Sequence, residues 1–226
     1  MFLTRAFINP RRHGAVRLLG SPQRMHAAVL AGFPPVLSED DRVLWRLDAD
    51  STHKVSLYIV SAHRPDLTHL VEQVGWPRSD VPSWATKPYT SLLDRLKPGQ
   101  RYAFRLTANP TYVEFVSGNQ RGRRRPHTTV EHQTNWLLKQ SAKAGFRVLP
   151  GSSPLPGSEE AALNLRLVDR QRIKFTKGEG RQVTLYQVTY QGLLEVTDEH
   201  ALRAALTQGI GRARAYGCGL LTLARP

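Results

Sequence analysis

Residues 198–226, DEHALRAALTQGIGRARAYGCGLLTLARP, read as a helix, a glycine-rich turn and a strand. Asp198 can cap the first turn by accepting from its free N–H groups, and Gly209 suits the helix end. Gly209, Gly211, Gly217 and Gly219 then surround Arg212 and Arg214 before the apolar run GCGLLTLA. Glycine costs backbone entropy, so this spacing calls for a chain that bends sharply or lets something come close. Arg212 and Arg214 offer planar donor forks suited to phosphate oxygens, with the backbone at Gly209 and Gly211 approaching a ribose-phosphate chain. Tyr216 adds a ring on which a base could stack. The plainer reading is a tight turn with solvated arginines.

Working back, LNLRLVDRQRIKF and RQVTLYQVTYQGLLEVTD flank TKGEG and make a long β-hairpin. LKPGQRYAFRLTANPT is a turn and a strand. TVEHQTNWLLKQSAKAGF is a helix with Trp136, Leu137 and Gln140 near one seam, followed by the strand FRVLP and the loop GSSPLPGSEE. The second half thus runs βαββαβ, the split βαβ order of ferredoxin-like folds. In the first half, MFLTRAFI is a strand and SPQRMHAAVLAGF a helix with Ser21 as N-cap and Pro22 at its first position. DRVLWRLD and VSLYIVSA are strands joined by a turn at ADSTH. Residues 65–98 carry five prolines and little periodicity, which places the domain junction there. The expected fold is α+β, two tandem ferredoxin-like (βαββαβ) domains at 1–92 and 93–226.

The 226 residues, 40% of them hydrophobic, suffice for a sizeable core. Lys and Arg number 32 against 18 Asp and Glu, a formal charge of +14, which points to a polyanionic partner, nucleic acid before a membrane surface. The hairpin cations Arg170, Arg172, Lys174, Lys177 and Arg181 suit an RNA stem, whose deep, narrow groove favours phosphate and shape readout. A basic hairpin that guards a sheet edge is the plain alternative. A second cluster, Arg121 and Arg123 to Arg125, reads as a mobile loop adding backbone affinity. The single cysteine, Cys218, permits no intramolecular disulfide and sits in an apolar stretch, so a core thiol in a reducing cytoplasm is expected. MFLTRAFINPRR has too short an apolar run for a signal peptide or a membrane span, and no membrane partner is expected. His127 and His132 lie off the i, i+4 spacing of a helical metal pair, and neither Walker nor Rossmann patterns occur, so neither metal nor cofactor is expected. Glu39, Asp40, Asp41, Glu159 and Glu160 read as turn or cap residues.

Of the eight histidines, His26 stands out. Met25, Ala28, Val29 and Gly32 or Phe33 share the buried stripe of the first helix, which puts His26 on its shoulder, held by packing yet open to a ligand. An imidazole titrating near neutrality suits proton transfer, and Arg24 or a hairpin arginine suits charge stabilisation.

Four blocks carry a resemblance: MFLTRAFINP, MHAAV, LKPGQRYAFRLTANPT, and QGLLEVTD through GIGRARAYGCGLLTLA. In that order they resemble the type I-E CRISPR precursor-RNA endoribonucleases, which belong to the repeat-associated RNA-binding proteins. The resemblance implies a CRISPR repeat RNA stem-loop as substrate, as precursor crRNA and retained mature crRNA. It implies metal-free cleavage at the 3′ base of the hairpin, and assembly with other Cascade subunits. It also implies that His26 is catalytic and that the basic hairpin grips the stem. Some relatives have a tyrosine three residues before this histidine and a lysine five after; this chain has Gln23 and Ala31, so those assisting roles do not transfer. The competing readings are a non-catalytic RNA-binding subunit of the same fold and a basic ribosome- or DNA-associated protein.

Overall fold

Alternation along β1 (Phe2–Ile8) buries Thr4, Ala6 and Ile8 on one face, which makes it a central strand. It is followed by α1 (His13–Leu19), α2 (Pro22–Leu30), β2 (Leu44–Ser51), β3 (Lys54–Ser61), α3 (Thr68–Val74) and β4 (Trp84–Pro88). These strands form an antiparallel sheet in the order β2-β3-β1-β4. The structure is a computed structural model and describes residues 1–35, 41–78, 80–115, 122–154, 161–177 and 180–226.

A short connection through α4 (Thr90–Leu93) leads to the second half: β5 (Arg101–Ala108), β6 (Thr111–Glu114), β7 (Arg123–Pro126), α5 (Val130–Lys143), β8 (Phe146–Val148), β9 (Pro150–Pro154) and β10 (Ala161–Leu163). Next come the hairpin strands β11 (Leu165–Lys177) and β12 (Arg181–Val196), then α6 (Glu199–Gln208), a 3₁₀ turn at Arg214–Tyr216 and β13 (Leu221–Ala224). The second sheet runs β11-β12-β5-β13, with β8 alongside the end of β12. By their order in the chain, the main strands of each sheet lie second, third, first, fourth, the ferredoxin-like arrangement twice over.

The two sheets meet through β2 and the β5–β13 side. Leu44 and Val60 of the first half share a core cluster with Leu106, Leu220 and Leu221 of the second. Arg46, 1% exposed, crosses the seam. It donates to both carboxylate oxygens of Asp48 at 2.8 Å, to the carbonyls of Arg105 and Leu220 at 2.9 and 3.0 Å, and to Thr222 Oγ1 at 2.9 Å. A buried cation is tolerated only when paired and fully hydrogen-bonded, and Arg46 is both.

Several expectations need correction. Residues 65–98 are more than a junction: they hold α3, β4 and α4, completing the first βαββαβ unit. Helix α3 is only one seam wide, burying Leu70, Val71 and Val74. A helix of two turns has too few residues to show its period. Helix α1, which the sequence pattern did not announce, packs against α2 and α3. In the expected loop 151–160, residues up to Pro154 pair as β9 with β10; the rest, Glu159 and Glu160 included, lie outside the described residues. Arg123 to Arg125 belong to strand β7, not to a loop, and Arg125 pairs with Glu114 at 2.8 Å. Arg121, Glu39 and Asp40 lie outside the described residues, while Asp41 pairs with His63 at 3.2 Å.

Candidate functional site

Helix α2 starts as its sequence dictates. Ser21 is extended, its hydroxyl accepts from Arg24 N, and Pro22 fills the first helical position where no N–H is needed. Met25 and Val29 are fully buried, so the helix cannot roll, and His26 is held half-buried at the edge of that face. Its Nδ1 accepts a hydrogen bond of 3.2 Å from the indole Nε1 of Trp45 on β2. Burial lowers the His26 pKa below its ordinary value, because the charged ring loses solvation. Arg24, in the first turn of the same helix, is exposed, and no ion pair or side-chain hydrogen bond holds it among the described residues.

The glycine-rich turn packs its 3₁₀ segment against α2 and β2. All four glycines adopt positive φ: 79° at Gly209, 77° at Gly211 and Gly217, 93° at Gly219. What comes close to them is the protein itself. A Cβ at Gly209 would meet the Leu44 side chain at 2.9 Å, at Gly211 the Trp136 ring at 2.9 Å, at Gly217 the Trp45 ring at 2.8 Å, and at Gly219 the Ile210 carbonyl at 2.9 Å. The protein's own packing therefore accounts for every glycine, Leu44 and Trp45 reaching Gly209 and Gly217 from the first half and Trp136 and Ile210 closing on Gly211 and Gly219 from the second, and their bareness is no argument for an RNA contact at Gly209 or Gly211. Tyr216 is likewise engaged: its ring lies edge-on to Phe175 of the hairpin, centroids 4.8 Å apart. Cys218 is core as expected, fully buried, its thiol pushed up to about 12 by that burial.

The arginines of the turn differ from the glycines. Arg212 is exposed and Arg214 half-buried, its Nε having no hydrogen-bond partner among the described residues. Burial first, then Arg42 and Arg212, lowers the pKa of Arg214 below its ordinary value. Arg42 and Arg212 thus bring like charge toward Arg214, on the 3₁₀ segment that packs against α2, and no carboxylate pairs with Arg214 among the described residues, a local field suited to an anion. Arg42 carried no sequence signal, since nothing in DDRVLW says which way its side chain turns.

Pairing divides the hairpin cations between its two faces. Arg172 pairs with Tyr186 and Lys174 with Thr184, placing Arg170, Arg172 and Lys174 on one face, while Lys177 pairs with Arg181 on the other, next to the tip. All five are exposed. Arg170, however, is committed: its Nε donates to Gln133 Oε1 at 2.9 Å and an Nη to the Thr128 carbonyl at 2.6 Å, tying the hairpin to the start of α5. Arg172 lies over the Tyr186 ring at 5.6 Å and has no ion pair, and neither do Lys174, Lys177 and Arg181 among the described residues. Between the hairpin and α2 lies a cleft of about 630 Å³, walled by Met25, Trp45 and Leu47 and floored by Gln171, Gln187 and Gln191. The chain thus carries a held imidazole, turn arginines without an ion pair among the described residues, and a cationic hairpin, the parts that a metal-free RNA cleavage asks for. Among the described residues no cluster of His, Cys, Asp and Glu could hold a metal ion, and no helix is long and apolar enough to cross a membrane.

The family described as CRISPR associated protein matches residues 1–225. The chain is 31% identical over 226 residues to the CRISPR-associated endoribonuclease Cse3 of Thermus thermophilus, covering 99% of this chain and 100% of that protein. It is 31% identical over 193 residues to the CRISPR system Cascade subunit CasE of Escherichia coli, covering 80% of this chain and 88% of that one. A solved structure of Thermus thermophilus Cse3 bound to an RNA representing a pre-cleavage complex aligns with a TM-score of 0.76 at 28% identity, covering 99% of this chain and 98% of that chain.

Proposed function

Because the chain belongs to the CRISPR-associated protein family, we propose that it is an endoribonuclease that binds the stem-loop of a CRISPR repeat, cuts precursor crRNA and keeps the product as a Cascade subunit. The observation that carries the reading is the half-buried His26, held by Trp45 on a helix that packs against the 3₁₀ turn carrying Arg214. We divide the labour between two domains, 1–92 with the histidine and 93–226 with the hairpin. The protein works in the cytoplasm, where its RNA is made.

The cut lies at the 3′ base of the hairpin. The 2′-oxygen of the scissile nucleotide attacks the adjacent phosphorus, a 2′-O–P bond forms and the P–O5′ bond breaks, leaving a 2′,3′-cyclic phosphate and a 5′-OH. One proton leaves the 2′-OH and one is taken up at O5′. His26 meets the reacting atoms, while Arg24, Arg212 and Arg214 stabilise the charge that builds on the phosphoryl oxygens. Arg172 and Lys174 carry the stem's phosphates, with Lys177 and Arg181 at the tip, and Arg170 supports the hairpin from behind.

A repeat hairpin and its analogue with a 2′-deoxy scissile nucleotide, each incubated with the protein in excess chelator, test this reading. The ribose substrate is cut to a 2′,3′-cyclic phosphate and the deoxy substrate stays whole. Cleavage of the deoxy substrate contradicts the mechanism, and tight binding without any cleavage makes the protein a non-catalytic subunit.

A further inference from the structure

The Trp45 indole N–H donates and cannot accept, so its bond to His26 fixes more than the position of the ring. A neutral imidazole has one N–H; with Nδ1 accepting from the indole, that proton sits on Nε2. Trp45 is 2% exposed, so losing the bond would strand a buried N–H. Nor can the indole swing aside: it shares a core cluster with Met25 and Val29 below α2, and the Gly217 backbone presses on it so closely that a Cβ there would stand 2.8 Å from Cζ3 and 3.0 Å from Cη2. The third glycine of the turn is thereby explained as a clamp on this tryptophan.

We propose that Trp45 is the positioning residue of the reaction, locking His26 as the Nε2–H tautomer so that it meets the RNA as a hydrogen-bond donor. The inference rests on the reading of His26 as the catalytic histidine. A ring so held presents no lone pair to the 2′-OH. It donates instead, to a phosphoryl oxygen or to O5′, as neutral imidazoles do where their environment keeps them uncharged. His26 keeps its own proton, so uptake of the 2′-OH proton and delivery of one to O5′ both fall to water in the simplest case. The half-burial that disfavours the imidazolium works in the same direction as the indole N–H, since a ring protonated at both nitrogens would turn a donor toward a donor.

The test compares wild type, Trp45→Phe and His26→Gln as full-length, ¹⁵N-histidine-labelled protein; His26→Gln identifies the His26 signal. Wild-type His26 shows a protonated Nε2 and an unprotonated Nδ1, and Trp45→Phe shows both tautomers in exchange. Trp45→Phe cuts a repeat hairpin about 10- to 100-fold more slowly in single turnover, the range found for losing the outer hydrogen-bond partner of a metal-bound histidine, with hairpin affinity unchanged. A proton on Nδ1 in the wild type overturns the proposal, and that spectrum decides it even if Trp45→Phe folds poorly. A wild-type tautomer retained in Trp45→Phe also overturns it. If the lock is seen but His26→Gln cuts at the wild-type rate, the catalytic reading of His26 falls instead.

Discussion

The seam around Arg46 and the hairpin around Arg172 look alike in the sequence, arginines among strand residues, yet physically they are opposites. Arg46 is 1% exposed, and its donors are spent on Asp48, two carbonyls and Thr222. Arg172 is exposed and touches one aromatic ring. The glycines repeat the contrast: at Gly211 a Cβ would strike Trp136, whereas at Gly180, beside the hairpin tip, no atom of the described residues stands within 4 Å. A basic composition therefore measures the grip on RNA poorly. The seam uses its polar groups to hold two ferredoxin-like units in register, and the hairpin leaves Arg172, Lys174, Lys177 and Arg181 without an ion pair among the described residues.

The contrast predicts unequal costs. Arg46→Ala leaves Asp48 buried with only the 3.3 Å contact to Arg105 and should destabilise the fold by about 3–5 kcal/mol, while exposed Arg172→Ala stays within about 0.5 kcal/mol. Denaturant midpoints at unchanged slope measure both, and equal midpoints would break the distinction. Gly211→Ala adds a collision with Trp136 to left-handed strain and should cost about 2–4 kcal/mol, against about 1–2 kcal/mol from strain alone in Gly180→Ala. The smallest effect is on binding: Arg172→Ala with Lys174→Ala should flatten the plot of log affinity against log salt by about 0.7 to 0.9 for each phosphate that these two cations neutralise. An unchanged slope would take the stem off that face.

Much of this was legible in the sequence. Ser21 and Pro22 announced α2, Asp198 and Gly209 bounded α6, and the element order of the second half pointed to its fold, because these signals are local. Helix α3 was not legible, since two turns between prolines carry no readable period. The four glycines were visible but their reason was not: Leu44, Trp45 and Trp136 reach them only through the tertiary fold. The same limit hid Trp45 as the partner of His26 and the diversion of Arg170 to Gln133, and it left Arg42 unnoticed. Local chemistry located the histidine; only the packed fold shows what holds it.

The central claim is that the seam does chemistry and the hairpin does binding, and His26→Ala tests it most directly when single-turnover cleavage and hairpin affinity are measured on the same folded protein. The account predicts a loss of about 10² to 10³ in rate, the usual worth of one donor aimed at the charge of the transition state, with affinity unchanged. A variant that cuts like the wild type, or one whose affinity falls in step with its rate, would contradict it.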